Sequence, residues 1–363
     1  MNRFGVYLSP FHPVREHPGL AIERDLELIC LLDRLAYDIV WIGEHHTGGI
    51  EIVAAPEILA SAVANRTRTI RLGLALSSMA YQSPLLIADR VLLLDHVSRG
   101  RAELAFGPLG TGPDMHAFGL ARRQVIDRTH DAIKTSYGLI RGDTVDHETN
   151  WYRLSDATPQ LRPFRNDIPM TLVAQGIPEE PAALADLDVG LMTLSATAPQ
   201  IRRDLPTLWD VYTRNRSEHD HAEARHCWTL AGPVHIAASR SDALRNIRFG
   251  LEPWLQYMER TTGMEVDGKS ITDKAESLVD SGFAIIGSPS DAVSQLKRLE
   301  ADTGGFGTFL QIAHNWANTS ATQTSYELFA RYVIPELSGT NRVRKSQWRD
   351  QPSGSRSEDE KTS

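Results

Sequence analysis

The stretch "DIVWIGEHH" (38–46) ends a nearly all-apolar run on three ionisable side chains, Glu44, His45 and His46. An all-apolar strand is typical of a parallel sheet that is covered on both faces. Because side chains alternate along a strand, Trp41 and His45 share one side, whereas Glu44 and His46 share the other. The stretch therefore predicts a buried strand whose end directs His45 toward an open mouth, while Glu44 or His46 sets its tautomer.

The same pattern, an apolar strand followed by a helix, occurs eight times along the chain. The predicted strands are 3–10, 38–46, 70–78, 101–109, 169–176, 188–195, 228–237 and 305–313. An open doubly wound sheet usually has fewer strands and a G-x-G-x-x-G signature in its first turn, which here reads "SPFHPVREHPG" instead. The count therefore favours an α/β fold of the closed (β/α)8 type, a TIM barrel.

Two insertions and a tail depart from this repeat. Residues 150–164 predict a small β insertion, and 240–304 is too long for one crossover. That segment predicts two or three helices, one of them beginning with Ser288 as N-cap and Pro289 at the first helical position. The polar, charged segment 339–363 is expected to be disordered, which leaves 1–338 as one barrel domain.

Composition narrows the class of partner. The net charge is −8 and both signs are interspersed, so the chain offers no basic stripe for nucleic acid or an anionic membrane surface. No apolar run approaches the roughly 20 residues that span a bilayer. Cys30 and Cys227 lie far apart, which argues against a disulfide framework. We expect a cytoplasmic protein that acts on small molecules.

Polar and aromatic side chains follow several of the predicted strands. In a barrel of this kind, functional groups lie on the loops that leave the carboxyl ends of the strands. We therefore predict a site with His45 as the catalytic residue and a substrate pocket formed by His12, His46, Tyr81, His314 and Trp316. No metal is predicted, because adjacent histidines on an extended strand point apart and no H-E-x-x-H helix is present.

Several long motifs, in order, resemble the bacterial-luciferase-like flavin monooxygenases, and most closely their limonene-monooxygenase-like branch. The resemblance covers residues 4–140 and 283–337. It includes "WIGEHHTGG" (41–49), "FGPLGTGPDMHAFGL" (106–120) and "GGFGTFLQIAHNWAN" (304–318). The fold of that family is the (β/α)8 barrel, in agreement with the independent strand count.

The resemblance implies a reaction and a cofactor. Reduced FMN, supplied by a separate flavin reductase, would react with O2, and one oxygen atom would enter an apolar or polyketide- or terpene-like metabolite. His45 matches the family's active-site histidine, which transfers protons beside the flavin. The family also implies pairing through helices two and three, hence a homodimer.

Matching motifs also imply how the flavin is held. Ser78 and Met79 fall in the turn that supports the isoalloxazine, and Arg128 matches an arginine that contacts the flavin phosphate. The glycines after strand four, beginning with Gly107, could let the backbone approach a ligand. Gln175 and Gly176 occupy the loop after strand five. Six apolar side chains at or near strand ends could exclude water from the reaction: Leu8, Trp41, Met79, Phe106, Met192 and Trp316.

One stretch departs from the family pattern. After strand five the family usually offers two small hydroxyl residues to the phosphate, whereas this chain has Gly176 followed by Glu179 and Glu180. Carboxylates in the first turn of a helix would repel a phosphate dianion. The alternatives are therefore a phosphate held mainly by Arg128 and the backbone after strand four, or a noncatalytic flavin-binding or partner subunit. A deazaflavin-dependent oxidoreductase on the same barrel is a separate alternative.

Overall fold

The structure is a computed structural model. It describes residues 1–9, 11–76, 78–107, 112–174, 184, 186–217 and 225–349. In chain order the strands are β1 (Arg3–Leu8), β2 (Ile39–Gly43), β3 (Arg71–Leu76), β4 (Ala102–Phe106), β5 (Val145–Glu148), β6 (Arg153–Ala157), β7 (Met170–Ala174), β8 (Gly190–Thr193), β9 (Trp228–Ile236), β10 (Ile285–Gly287) and β11 (Thr308–Ile312).

Eight of these strands close into a parallel barrel. The order around the ring is β1, β2, β3, β4, β7, β8, β9 and β11, and β11 pairs with β1 to complete it. The register is continuous, as in the pairs Tyr7 with Trp41 and Gly43 with Ala75. All eight predicted strands are present, so the predicted (β/α)8 barrel is confirmed. β5 and β6 form an antiparallel hairpin after the fourth unit, so a small β insertion is present, but it begins at Val145, before the predicted bounds of 150–164.

Helices surround the ring. They are α1 (Pro18–Arg34), α2 (Pro56–Ala64), α3 (Pro84–Ser98), α4 (Gly112–Ala117), α5 (Arg122–Arg141), α6 (Pro199–Ser217), α7 (Arg240–Ile247), α8 (Leu251–Thr262), α9 (Ile271–Asp280), α10 (Pro289–Thr303), α11 (Thr319–Leu328), α12 (Ile334–Leu337) and α13 (Arg342–Arg349). None of the described helices is both long enough and apolar enough to cross a membrane.

Sequence signals fix several helix starts. Proline occupies the first turn of α1, α2, α3 and α10, where its missing N–H has no helical partner to lose. At α10 the Ser288 hydroxyl accepts the Asp291 N–H and the Asp291 carboxylate accepts the Ser288 N–H. The predicted N-cap is thus confirmed as a full capping box.

The core divides into three clusters. Alternate strand residues, among them Tyr7, Trp41 and Met192, fill the barrel interior. The residues between them, such as Val40 and Ile42, pack outward against the helices in the largest cluster. A third cluster joins α7, α8 and α9 to the loops after β1 and β11. The barrel interior is therefore filled with side chains. The carboxyl end of the barrel is covered on one side by the long insertion between β9 and β11.

Three details correct the expectations. The segment 240–304 holds four helices, α7 to α10, rather than two or three, and also the three-residue strand β10, which is too short to produce a periodic signal. The last predicted helix (325–337) is interrupted by a π-helical turn at Phe329–Val333, just before Pro335, which lacks the N–H of a continuing helix. Residues 342–349, where disorder was expected, form α13, and Lys345 of that helix pairs with Glu336.

Candidate active site

Glu44 connects the ends of two neighbouring strands. It follows β2, is 4% exposed, and accepts the backbone N–H of Ser78 at 3.0 Å through Oε2. Its other oxygen, Oε1, lies 3.1 Å from Nε2 of His46. The Gln82 amide donates to the Ser78 hydroxyl, and Arg90 donates to Gln82. These hydrogen bonds fix the predicted cofactor turn, which begins at Ser78 and Met79, against the histidine pair.

His45 has a different carboxylate partner. Nε2 of His45 lies 2.5 Å from Oε2 of Glu51, a residue of the loop between β2 and α2. The side chains are 26% and 14% exposed, respectively, so the pair is largely withdrawn from solvent. The alternation predicted from the sequence places His45 in line with Trp41, which lies in the interior cluster. His45 and His46 contact separate carboxylates, Glu51 and Glu44.

The surrounding charges favour the protonated form of both imidazoles. Burial disfavours a charged His45, but the hydrogen bond and charge of Glu51, with the charges of Asp114 and Glu44, outweigh it and raise the pKa of His45 above its ordinary value. The pKa of His46 is raised by its hydrogen bond to Glu44, against the smaller effect of burial. The site is suited to holding and releasing protons near neutral pH.

Aromatic rings adjoin His46. Phe118, which follows α4, stacks on Tyr81 with ring centroids 4.1 Å apart and meets His46 edge to face at 5.2 Å. The hydroxyl oxygen of Tyr81 is buried and has no hydrogen-bond partner among the described residues. Two of the residues predicted for the substrate pocket, His46 and Tyr81, thus lie against one phenyl ring.

Arg128 lies on α5, which packs against the turn Met79–Tyr81. Its guanidinium carbon lies 5.1 Å from the ring centroid of Trp151, and the side chain is half-buried. In the described part of the chain no carboxylate forms an ion pair with it. An arginine held by an aromatic face and left without a carboxylate keeps its donors for an external anion.

His12 takes a structural position. It is 2% exposed, with Nε2 lying 2.8 Å from Oδ2 of Asp25 and Nδ1 lying 3.1 Å from the Ile50 carbonyl oxygen. Both ring nitrogens therefore have protein partners, which leaves neither for a substrate. The residue predicted to line the pocket instead anchors the loop that carries Glu51.

His314, like His12, has a protein partner at each of its two ring nitrogens. Its Nε2 lies 3.0 Å from the Val234 carbonyl oxygen, and its Nδ1 accepts the Trp316 N–H at 3.1 Å. Burial, together with the nearby His235, lowers the pKa of His314 to about 3. The ring is thus neutral and stacks on Trp316, whose indole is fully buried and whose Nε1 has no hydrogen-bond partner among the described residues.

Four of the proposed wall residues divide by strand alternation. Trp41 and Met192 do fill the barrel interior. Leu8 and Phe106 do not, because they alternate with Tyr7 and Ala105 and pack outward under the helices. Met79 also lies in the outer layer and is fully buried. An apolar residue at a strand end does not by itself predict a side chain that lines the barrel interior. The alternation along the strand, which directs side chains inward or outward in turn, must also be considered.

Two predicted cofactor residues cannot be placed. Gln175 and Gly176, and with them Glu179 and Glu180, lie outside the described residues. Gly107 is buried at the end of β4 with a φ of 82°, a left-handed conformation that glycine adopts at little cost. Within the described ranges, no group of three or more His, Cys, Asp or Glu side chains is arranged to hold a metal ion.

Sequence reasoning missed three residues of this site. Glu51 contacts His45, Tyr257 of α8 lies near Glu51, and Asp114 of α4 accepts the Thr47 hydroxyl at 2.5 Å. Asp114 is 1% exposed, which is rare for a carboxylate. Little in the sequence identifies these residues. Glu51, for example, is distinguished only as the acidic residue of the loop "TGGIEIV" (47–53).

The sequence as a whole is similar to known proteins. A family model described as luciferase-like monooxygenase matches residues 1–305. The chain is 35% identical to limonene 1,2-monooxygenase of Rhodococcus erythropolis, over 93% of this chain and 87% of that protein. It is 34% identical to 4-hydroxyprotoasukamycin monooxygenase of Streptomyces nodosus subsp. asukaensis, over 93% and 92%.

A solved structure shares the fold. The oxygenating constituent of 3,6-diketocamphane monooxygenase from Pseudomonas putida, determined in complex with FMN, superposes with a TM-score of 0.76 at 18% identity. The alignment covers 92% of this chain and 98% of that one.

Proposed function

This chain belongs to the luciferase-like monooxygenase family, and we propose that it is an oxygenase component that uses reduced FMN delivered by a separate flavin reductase. The observation that carries the proposal is the position of His45. It follows β2 at the carboxyl end of the barrel, withdrawn from solvent, with carboxylates that favour its protonated form. Barrel enzymes place their chemistry at this end.

The residues present fit a flat, phosphorylated cofactor. The turn at Ser78 and Met79 is held rigid by Glu44 and adjoins α5, the helix of Arg128. Arg128 has no carboxylate partner among the described side chains, so its guanidinium remains available to a phosphate. Gly107 has no side chain to obstruct the approach of a ligand to the backbone after β4. We assign phosphate binding to Arg128 and support of the ring system to the turn.

Each protein group then has a limited task. Reduced flavin supplies two electrons and O2 supplies the oxygen, so that one oxygen atom enters the substrate and the other leaves as water. Because Nε2 of His45 contacts Glu51, His45 would hold the transferred proton at Nδ1 and pass it to the reacting oxygen or receive it back. Trp41 and Met192 close the barrel floor, while Tyr81 and Phe118 shield one side and keep water out.

The substrate we propose is a largely apolar metabolite of the terpene or polyketide type. Support comes from the aromatic surfaces of Tyr81 and Phe118 and from the fully buried Trp316 on the insertion side. The relative named for limonene, a hydrocarbon, acts on a substrate of that character. Tyr81 is half-buried and its hydroxyl has no partner among the described residues, which suits a substrate with an oxygen function.

The decisive experiment is reconstitution under labelled O2. Purified protein is supplied with chemically reduced FMN, isotopically labelled O2 and a panel of terpenes, including limonene, and of polyketides. One labelled oxygen atom in a product supports the proposal. Hydride transfer from reduced deazaflavin without O2 uptake would support the deazaflavin-dependent alternative. If FMN fluorescence is not quenched by the protein even at high micromolar concentration, a noncatalytic partner subunit is favoured instead.

A further inference from the structure

We propose that Glu51 is the positioning residue of His45, held in place by an anchored loop on one side and by α8 on the other. This inference rests on the proposed function, because it concerns the proton-transferring histidine of the same site. It adds a carboxylate that acts through His45 and does not itself touch the substrate. It also gives the long insertion between β9 and β11 a task in the active site.

The contact itself is short and specific. Nε2 of His45 lies 2.5 Å from Oε2 of Glu51, and both side chains are mostly buried. At this distance a protonated imidazole and a carboxylate form an ion pair, whose attraction holds the ring beside Glu51. Since the Nε2 atom is engaged, Glu51 determines which ring nitrogen carries the exchangeable proton when the ring is neutral.

The loop that presents Glu51 is tied down by three contacts to two of its carbonyl oxygens. The His45 N–H donates to the Val53 carbonyl oxygen at 3.0 Å, which closes the loop on itself. The His12 N–H donates to the Ile50 carbonyl oxygen at 3.1 Å, and the ring Nδ1 of His12 lies 3.1 Å from the same oxygen. The buried pair of His12 and Asp25 thereby fixes the position of the loop, and with it the position of Glu51 at the carboxyl end of the barrel.

A second support comes from the insertion. Tyr257 of α8 lies near enough to Glu51 for the carboxylate charge to act on its phenol, and its ring packs on Phe11 with centroids 5.9 Å apart. Burial and the charges of Glu51 and Asp114 raise the pKa of the Tyr257 phenol, so that it stays a donor. Glu51 is thus fixed between a strand-end histidine and a helix of the insertion.

Other ionisable groups face the pair and must be considered with it. Asp114 of α4 and Glu44 after β2 add negative charge that also favours protonated His45. His46 is the next residue in the chain and interacts with the charge of His45. The Tyr7 phenol of β1 also lies near the pair, and burial and the charges of Glu51 and Glu44 raise its pKa. Among these, Glu51 makes the largest favourable contribution to the protonated state of His45, because it alone both contacts the ring and carries charge.

The test uses the flavin-free protein, so that it does not depend on turnover. Side-chain NMR follows the titration of His45 in wild type, in Glu51→Gln and in Glu23→Gln. The last is a matched control, because Glu23 is half-exposed and pairs with Arg66 on the surface. We expect His45 of Glu51→Gln to titrate at lower pH than in wild type and Glu23→Gln to match wild type. Glu51→Asp, which keeps the charge, should fall between them and serves if Glu51→Gln does not fold.

Kinetics supply the second readout. In the reconstituted oxygenase, Glu51→Gln should lower kcat by about 10- to 100-fold, the usual cost of a misplaced catalytic group. The KM for the organic substrate should change far less, and the pH profile should move in the same direction as the NMR titration. Identical His45 titration curves for Glu51→Gln and wild type would overturn the inference. If His45 shifts as expected but the wild type forms no oxygenated product, the proposed function fails while the positioning role stands.

Discussion

Glu44 and Ser78 are hydrogen bonded across the ends of β2 and β3, with the Ser78 N–H donating to the Glu44 carboxylate at 3.0 Å. Both residues are buried, at 4% and 1% exposure. The same carboxylate contacts His46, so one side chain joins the histidine pair to the turn proposed to support the cofactor. A substitution at Glu44 should therefore lower both the stability of the protein and its affinity for the cofactor.

Glu44→Ala should destabilise the protein by about 1–3 kcal/mol, because it leaves the buried Ser78 N–H without an acceptor. Glu44→Gln keeps an acceptor oxygen in the same place and should cost clearly less. Urea unfolding of both variants measures the difference, and flavin titration should show weaker binding in the alanine variant. Equal destabilisation by Ala and Gln would mean that the hydrogen bond to Ser78 is not what Glu44 contributes.

His45→Ala should lower monooxygenase turnover by about 10²- to 10⁴-fold, the usual contribution of a general acid or base. His46→Ala should have a smaller effect, because His46 contacts Phe118 and Glu44 and is assigned to the pocket. Product formation with reduced FMN is the measurement, with flavin affinity determined in parallel. A His45→Ala variant with full turnover would remove His45 from the mechanism.

Arg128→Ala should weaken FMN binding by about 10- to 100-fold, the equivalent of one lost hydrogen-bonded charge contact. Riboflavin lacks the phosphate, so its affinity should be unchanged. Arg123→Ala is the control, because Arg123 lies on the same helix, is 81% exposed and pairs with Asp127. Equal losses for FMN and riboflavin would place Arg128 away from the phosphate.

Two buried histidines make the fold sensitive to acid. Burial lowers the pKa of His235 to about 4, and burial with its neighbour lowers the pKa of His314 to about 3. In the unfolded chain both titrate near about 6.5. Below that pH the unfolded chain binds protons that the folded protein excludes, so stability falls, by up to about 1.4 kcal/mol per pH unit for each histidine.

Urea unfolding between about pH 7 and about pH 5 measures this slope. His235→Leu should reduce it by the share of one histidine. His226→Gln should leave it unchanged, because His226 is exposed in the folded protein as well. An unaltered slope in His235→Leu would show that another group causes the acid sensitivity.

The sequence was sufficient for the barrel, because its strands follow from runs that are apolar throughout and alternate with period two between the interior and the helices. It was not sufficient for hydrogen-bond partners. His12 and His314 follow strands as expected, yet Asp25 of α1 and Val234 of β9 engage their rings. Such contacts depend on loop heights and helix positions that no periodicity encodes.

Glu51 is a site residue that sequence patterns could not identify. It is six residues beyond His45 in sequence, in a loop with no regular pattern. Only the closure of that loop, through the His45 N–H and the Val53 carbonyl, returns its carboxylate to the ring. Tyr257 is more remote still, on a helix of an insertion whose packing on the β1 loop could not be inferred from the sequence.

The dimer expected from the family resemblance has a candidate surface on α2 and α3. Leu86, Leu93 and Val97 recur on one face of α3 and are 49%, 56% and 37% exposed, and Ile58 on α2 is 69% exposed. Leu93→Lys should raise the dimer dissociation constant by about 30-fold or more, because burying a lysine at an interface centre costs about 2 kcal/mol or more. Sedimentation velocity measures this, with Val343→Lys on the exposed face of α13 as the control. A wild type that stays monomeric at high concentration, or a Leu93→Lys variant that dimerises like wild type, would exclude this face as the interface.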